Sequence, residues 1–244
     1  MKTTLALALL SCLCIAVRAE TLFFEKETPK GSTRVVLSIE GDQVYGSQFW
    51  QPTGDVHGAR GTLTGTIKEG GLITALYAYT IEGSDQSEEV VYKLDGDTLY
   101  VGEGELVEGE AGLMKLKNPD KVTFEKALKR VNLASPAAGT PERKAVMEAM
   151  RGPVAAHIGV PVEFTGDLHT HGGWARFSGN VATKDGKAPA NEGAAFQLEL
   201  DFFALLKMDA AGVWQVMSWG FSGDIGAREE AAQKFPDAPW VLLY

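Results

Sequence analysis

The first half of this chain shows its clearest β-hairpin pattern in Glu89-Val-Val-Tyr-Lys-Leu-Asp-Gly-Asp-Thr-Leu-Tyr-Val101. Two short apolar and aromatic runs flank Asp95-Gly96-Asp97, and Asp-Gly suits the type I′ turn of a tight β-hairpin. The preceding segment, Leu72 to Ile81, has one face at a period of two, formed by Ile73, Ala75, Tyr77, Tyr79 and Ile81. These segments predict antiparallel strands joined by tight turns.

On both sides of this hairpin, residues 20–131 contain about eight short strand patterns separated by glycine turns. Gly41-Asp42 precedes a strand as Gly96-Asp97 does, which indicates repeated hairpin chemistry. Val122 to Val131 fits either a strand or a short helix. Near-regular short strands favour a β-barrel or a sandwich, and closure of a barrel also hides the edge strands.

Aromatic side chains recur along these predicted strands. They are Phe49, Trp50, Tyr77, Tyr79, Tyr92 and Tyr100. Such residues can line a cavity for a small apolar ligand. In small barrels, inward side chains more commonly fill the interior. The sequence leaves both readings open.

The pattern changes after residue 131. Residues 132–140 contain small residues and prolines and are predicted to be a linker, followed by a second domain over 141–244. Thr140-Pro141-Glu142 is a strong helix start, with Val146, Met150 and Val154 as a buried stripe. Gly152-Pro153 should kink or break this helix.

Strand patterns follow this helix. Phe196 to Met208 is read as one strand, with Phe196, Leu198, Leu200 and Phe202 on the core side. The predicted second domain is therefore an α+β fold, with the helix on one face of a curved antiparallel sheet.

Short motifs in both halves carry a resemblance to known proteins. Through Tyr79-Thr-Ile-Glu-Gly-Ser84 and Tyr92-Lys-Leu-Asp-Gly-Asp97, the first half resembles small secreted bacterial β-proteins with a lipocalin-like barrel. The second half resembles uncharacterised exported bacterial proteins through Pro141-Glu-Arg-Lys144, Trp174-Ala-Arg-Phe177 and Val213-Trp214-Gln-Val216. Its layout is similar to cystatin-like or NTF2-like folds. The resemblance implies no catalytic residue and no cofactor.

The first nineteen residues indicate the compartment. Met1-Lys2 is a short basic start, and Leu5 to Val17 is apolar. Val17 and Ala19 are small residues at positions −3 and −1 from a cleavage site before Glu20, so a signal peptide of nineteen residues is predicted. The apolar run is too short for a transmembrane segment. We expect a periplasmic or secreted protein.

Both cysteines of the chain, Cys12 and Cys14, fall within this predicted signal peptide. The mature chain is therefore expected to have no disulfide, no thiolate metal site and no cysteine nucleophile. Lipidation at Cys12 is disfavoured, because the apolar run continues past it.

Charge and motifs restrict the function classes. The formal net charge of −9 makes nucleic acid and anionic lipid poor partners and favours a cation or a basic envelope protein. The sequence contains no nucleophile elbow, no P-loop, no dinucleotide fingerprint and no H-E-x-x-H. The leading hypothesis is a non-enzymatic periplasmic binding or protein-interaction module. The alternative is an envelope enzyme with an acid–base site in the cone of the second domain.

One triplet has metal-ligand character. Asp167, His169 and His171 share one face of a strand, and carboxylate with imidazole can hold zinc. Gly172-Gly173 ends the strand at once and no fourth ligand is evident, so we expect no metal site. The acidic run Glu103, Glu105, Glu108 and Glu110 fails the EF-hand pattern and is read as the outer face of a hairpin.

Overall fold

The computed structural model describes residues 20–54, 57–221 and 226–244. The chain divides into two compact units, with the boundary between Val131 and Asn132. The predicted signal peptide, with its cleavage site and Cys12, lies outside the described residues. Among the described residues, no helix is both long enough and apolar enough to cross a membrane.

Ten strands lie in the described residues of the first unit, 20–54 and 57–131. They are β1 (Glu20–Thr28), β2 (Gly31–Glu40), β3 (Gln43–Pro52), β4 (Ala59–Ile67), β5 (Leu72–Ile81), β6 (Ser84–Asp95), β7 (Thr98–Glu103), β8 (Leu106–Glu108), β9 (Met114–Leu116) and β10 (Thr123–Arg130). Strands β1 to β7 and β10 pair antiparallel, and the pairings β5–β6 and β1–β10 close an eight-stranded barrel. Of the two predicted architectures, the structure shows the barrel.

Alternation along β5 sets the inside and the outside of the barrel. Ile73, Ala75 and Tyr77 are buried, whereas Leu72 and Leu76 are exposed on the outer side. The strand occupies the predicted bounds, Leu72 to Ile81. Thr33 is a buried polar residue that shares the inner side of β2 with Val35 and Leu37. The hydrophobic core of the barrel consists of Leu22, Phe24, Val35, Leu37, Val44, Leu63, Ile73, Ala75, Tyr77, Tyr92, Leu99 and Leu128.

The β6–β7 turn differs from the predicted one in type. Asp95 pairs with Thr98, so the two turn residues are Gly96 and Asp97. Gly96 has φ of 55° and Asp97 is not among the residues with positive φ, whereas a type I′ turn needs positive φ at both positions. Glycine at the first position is typical of type II′, which equally matches the twist of the strands. The predicted hairpin is confirmed.

Two strand glycines allow the sheet to coil into a barrel. A Cβ atom at Gly46 would lie 1.9 Å from the carbonyl oxygen of Val36, and one at Gly65 would lie 2.2 Å from that of Thr74. Any larger residue would force the neighbouring strands apart. Glycine kinks of this kind are a general means of bending a sheet toward closure.

One seam of the barrel is incomplete. Strand β6 pairs with β7 only over Tyr92 to Asp95. Farther along, β6 instead meets the short β8–β9 hairpin through a parallel pairing of Glu88 with Met114. The end of the barrel that contains Glu88 is therefore bordered by a hairpin added to the barrel strands.

In the second unit, the described residues, 132–221 and 226–244, form a four-stranded antiparallel sheet and four α-helices. They are α1 (Pro141–Ile158), β11 (Val162–His171), β12 (Trp174–Thr183), α2 (Glu192–Gln197), β13 (Phe202–Met208), β14 (Trp214–Phe221), α3 (Gly226–Lys234) and α4 (Trp240–Leu243). The strands follow the chain order β11-β12-β13-β14.

Helices cover both faces of this sheet. Helix α1 packs on the side of Ala204 and Leu206. Phe203 and Leu205 alternate with these residues, so they face the other side, and they are also buried. Helix α3 contacts β13 and β14, and α4 contacts β11 and β12. The expected helix on one face is therefore an incomplete description.

Helix α1 begins as predicted. The Thr140 hydroxyl accepts a hydrogen bond from the backbone N–H of Arg143, and Gly159 ends the helix in the left-handed conformation. Of the two outcomes predicted at Gly152-Pro153, a kink or a break, the break does not occur, because the helix continues through Pro153 to Ile158. The fully buried stripe Val146, Met150, Val154 and Ile158 packs both halves of the helix on the same core, which offsets the hydrogen bond lost at proline.

The predicted strand over Phe196 to Met208 is wrong in its first part. Helix α2 occupies this region up to Gln197, and β13 begins only at Phe202. The Asn191 side chain accepts a hydrogen bond from the backbone N–H of Ala194 at 2.8 Å and caps the helix. Phe196 is 61% exposed, so it does not belong to the core.

The stretch predicted as a linker, residues 132–140, lies partly against the sheet of the second unit. Ala134 and Thr170 of β11 exchange both backbone hydrogen bonds, at 3.0 and 2.8 Å. Arg143 of α1 donates to the carbonyl oxygens of Pro136 and Gly166. The open edge of β11 is thus covered at this point.

Candidate functional site

One end of the barrel brings together five polar side chains from the inner sides of its strands. We call them the tyrosine cluster, which consists of Gln48, Tyr77, Tyr79, Glu88 and Tyr92. The register of β5 and β6 sets Tyr77 directly opposite Glu88. Tyr92 has the same parity along β6 as Glu88, so both face the inner side, and Gln48 comes from β3. Three strands therefore contribute to the cluster.

Hydrogen bonds join the cluster across the interior. The Tyr92 hydroxyl donates to Oε1 of Gln48 at 2.7 Å, and the Tyr77 hydroxyl donates to the backbone oxygen of Gln48 at 3.2 Å. Buried hydroxyls need such partners, because an unsatisfied polar group costs free energy. Both phenols thus point to the same residue of β3.

Tyr77 and Tyr79 form an aromatic wall on β5. Their ring centroids lie 4.5 Å apart with an interplanar angle of 15°. The Tyr79 hydroxyl donates to Oε1 of Gln86 at 3.0 Å, which holds the outer ring in place. Tyr77 is buried and Tyr79 is only partly buried, so the wall extends from the core toward solvent.

The environment of the cluster disfavours negative charge on the phenols. Burial raises the pKa of Tyr77 to about 12, with hydrogen bonding to Gln48 opposing the shift and the Glu88 charge adding to it. Burial also raises the pKa of Tyr92 and of Tyr79, and Glu88 contributes at both. The three phenols therefore remain neutral near neutral pH.

Glu88 is the acidic member of the cluster. It is partly buried, and burial raises the pKa of its carboxyl group above the usual range. Across residues 20–54, 57–221 and 226–244, its carboxylate forms no hydrogen bond and no ion pair. It is a partly buried carboxylate with no donor from another described residue.

The rim of this end of the barrel is partly open to solvent. Val90 and Val101 pack on the core but are only partly buried. By register, Lys126 lies on the inner side opposite Val101, and Lys26 lies there opposite Thr33. Accessible apolar, aromatic and charged groups therefore meet at this rim.

The predicted aromatic set divides between the two sides of the barrel. Tyr77, Tyr79 and Tyr92 face inward. Tyr100 alternates with the buried Leu99 and so faces outward. Phe49 also faces outward, where the Arg60 guanidinium lies 5.0 Å from its ring centroid. Trp50 shares the inner parity of Gln48 but is 39% exposed.

The candidate metal ligands lie on one side of β11, as predicted. The Nδ1 atom of His169 lies 3.0 Å from Oγ of Ser135, and the Nδ1–H of His171 donates to the backbone oxygen of Asn132 at 3.0 Å. The described part of the chain contains no group of three or more His, Cys, Asp or Glu placed to hold a metal ion, Asp167 included.

A positive charge faces this triplet. Arg176 of β12 lies directly opposite His169 in the register. Burial lowers the pKa of His169, the Arg176 charge lowers it further, and Asp167 opposes the shift. Burial and the Arg228 charge lower the pKa of Arg176 itself to about 10. Arg176 donates from Nη1 to the backbone oxygen of Tyr244 at 2.8 Å.

His157 lies at the rim of the core between α1 and the sheet. Its Nε2 lies 2.7 Å from Oε1 of Gln197, and its ring contacts Trp219 edge-on at a centroid distance of 5.3 Å. The buried members of this core are apolar or aromatic side chains.

Comparison with known proteins gave no match: no protein-family model, no curated protein and no solved structure matches this chain.

Sequence reasoning did not single out Gln48 and Glu88 as site residues. Glu88 could have been found from its position four residues before Tyr92, because residues an even number apart on a strand lie on the same side. Gln48 carried no distinguishing signal, because a glutamine in a predicted strand gives no indication of its partner.

Proposed function

We propose that this protein is a non-enzymatic binding protein whose lipocalin-like barrel holds a small, largely apolar organic molecule at the tyrosine cluster. The observation that carries the proposal is the distribution of polar groups. The interior is apolar along most of its length, and Gln48, Tyr77, Tyr92 and Glu88 converge at the end where Val90 and Val101 are partly exposed.

This distribution supports binding over simple filling of the barrel. Ligand sites are mostly apolar, with a few placed polar groups that orient the bound molecule. A core that serves only stability gains nothing from a carboxylate without a partner, because its desolvation costs free energy. Glu88 in that position is accounted for if a ligand supplies the missing contact.

Export is part of the proposal. Residues 1–19 have the features of a cleavable signal peptide, so the protein acts in the periplasm or outside the cell. The second unit, of cystatin-like or NTF2-like layout, serves on this view as an interaction module for a basic or envelope protein. The enzyme alternative would need an acid–base pair in the core of this unit, where His157 contacts Gln197 and the ring of Trp219.

The test uses the full chain and the neutral fluorescent probe N-phenyl-1-naphthylamine. We expect saturable binding of one probe molecule per chain. Val90→Trp places bulk at the accessible rim and should weaken binding by about tenfold or more, which corresponds to about 1.4 kcal/mol. The control is Leu76→Trp, at a residue that is 42% exposed on the outer side of β5. Absence of saturable binding, or equal binding by both variants, would overturn the proposal.

A further inference from the structure

We propose that the ligand class of this site is organic cations. A primary or quaternary ammonium group pairs with the Glu88 carboxylate beside the Tyr77–Tyr79 wall, and the apolar part of the molecule lies along Val90 and Val101. This inference rests on the proposed function, since it names the ligand of the same site.

The position of Glu88 supplies the first argument. It lies opposite Tyr77 on β5, and its other neighbour is Met114 of β9, which has an apolar side chain. Neither side chain can donate a hydrogen bond to Glu88, because the Tyr77 hydroxyl already donates to Gln48 and methionine has no donor. A charged donor brought by a ligand would satisfy the carboxylate, and such charge-assisted hydrogen bonds are the strong ones.

The aromatic wall supplies the second argument. The face of a tyrosine ring attracts a cation within about 6 Å of its centroid, and the attraction is stronger where the cation is desolvated. Tyr77 and Tyr79 are nearly parallel, so Tyr77 covers one face of the Tyr79 ring and a cation would approach the other face. Tyr79 is partly exposed, which leaves it accessible from the rim.

The charges around Glu88 supply the third argument. Two lysines, Lys26 and Lys126, are on the inner side by register, yet neither forms an ion pair with Glu88 in the described ranges. Burial raises the pKa of Glu88, and no lysine lowers it. The carboxylate therefore keeps its charge available, and the net charge of −9 on the chain attracts cations from a distance.

The test compares three probes that share an eight-carbon chain and differ in head-group charge: n-octylammonium, 1-octanol and octanoate. Calorimetric titrations of the full chain at pH 7.5 should show octylammonium binding tighter than octanol by about tenfold to a hundredfold, as expected for a hydrogen bond to a charged group. Octanoate should bind weakest.

Glu88→Gln should reduce the preference for octylammonium over octanol to less than about threefold while octanol binding is retained. The control Glu69→Gln removes the same charge from the β4–β5 turn, at the opposite end of the barrel, and should keep the preference. Thermal unfolding of both variants checks that the fold is intact.

The outcomes separate the two proposals. If octanol and octylammonium bind equally in the wild-type protein, or if octanoate binds tightest through Lys26 and Lys126, the cation inference is wrong and the binding function stands. If Glu88→Gln keeps the preference, the inference is also wrong. If no probe binds, the proposed function itself fails.

Discussion

The Tyr92 hydroxyl donates a hydrogen bond at 2.7 Å to the side-chain oxygen of Gln48, a residue 44 positions earlier in the chain. The bond crosses the interior from β6 to β3 and belongs to a tyrosine that is fully buried. It ties two strands that are not neighbours in the sheet. Such a contact inside an apolar core affects both stability and the position of nearby groups.

The first prediction concerns this bond. Tyr92→Phe leaves the Gln48 oxygen without its donor, and the free energy of unfolding should fall by about 1–3 kcal/mol. Gln48→Leu should cost a similar amount, whereas the double variant should cost less than the sum because both polar groups are gone. Urea unfolding measures the four states. The outward-facing Tyr100→Phe is the control, and strictly additive losses would contradict the coupling.

The second prediction concerns Glu88 and pH. Its folded-state pKa is raised by burial, so the folded protein binds more protons than the unfolded chain between the two pKa values. The free energy of unfolding should therefore fall as pH rises through this interval. Above the raised pKa, Glu88→Gln should be more stable than the wild-type protein, and the difference should vanish at lower pH, where the carboxyl group is protonated in both states.

Urea unfolding at several pH values measures this difference. The titratable groups that face Glu88 are Tyr77, Tyr79 and Tyr92, together with the inner-side Lys26 and Lys126. Burial raises the pKa of all three phenols, so they stay neutral at acidic pH. Glu69→Gln provides the comparison at the other end of the barrel. A Glu88→Gln curve parallel to that of the wild-type protein would show that this carboxyl group is not desolvated.

The third prediction concerns the turn between β5 and β6. Glu82 has φ of 51° and Gly83 has φ of 77°, which are the positive values of a type I′ turn. Glutamate is strained there, and asparagine is favoured at this position. Glu82→Asn should raise the free energy of unfolding by about 0.5–1 kcal/mol. Glu69→Asn, at a turn residue without positive φ, should show no gain.

The sequence predicted those elements in which local pattern and burial agree. Strand β5 is an example, because its inner residues Ile73, Ala75 and Tyr77 alternate with outer ones in the barrel. The α1 stripe of Val146, Met150 and Val154 is another. In both cases, the period of the side chains matches the geometry of a single element.

The errors arose where another local signal or a distant partner decided the outcome. Alternation predicted a strand from Phe196, but the Asn191 cap begins a helix, and capping prevailed over a four-residue pattern. Only the three tyrosines of the tyrosine cluster were singled out from the sequence. Its tyrosines alternate on β5 and β6, whereas Gln48 and Glu88 acquire their roles from the register of three strands.

The fourth prediction compares Phe196 and Phe202 to test whether β13 begins at Phe202. Phe202 is 1% exposed and contacts Phe164, Trp219 and Phe221 by ring packing, whereas Phe196 is 61% exposed. Phe202→Ala should cost about 3–5 kcal/mol of unfolding free energy, and Phe196→Ala should cost less than about 0.5 kcal/mol. Denaturant unfolding distinguishes the two. Comparable losses would restore the strand reading of residues 196–201.

The last prediction concerns zinc at Asp167, His169 and His171. The contact of His171 with the Asn132 oxygen is of the kind that orients a metal ligand, and it leaves Nε2 of the ring available. The Arg176 guanidinium lies opposite His169, however, and repels a cation there. We expect that zinc at pH 7.5 will not raise the melting temperature and that His169→Ala/His171→Ala will respond to zinc as the wild-type protein does. Tight stoichiometric binding in calorimetry that the double variant loses would instead establish a metal site, whose affinity should fall at acidic pH because only the neutral imidazole coordinates a metal.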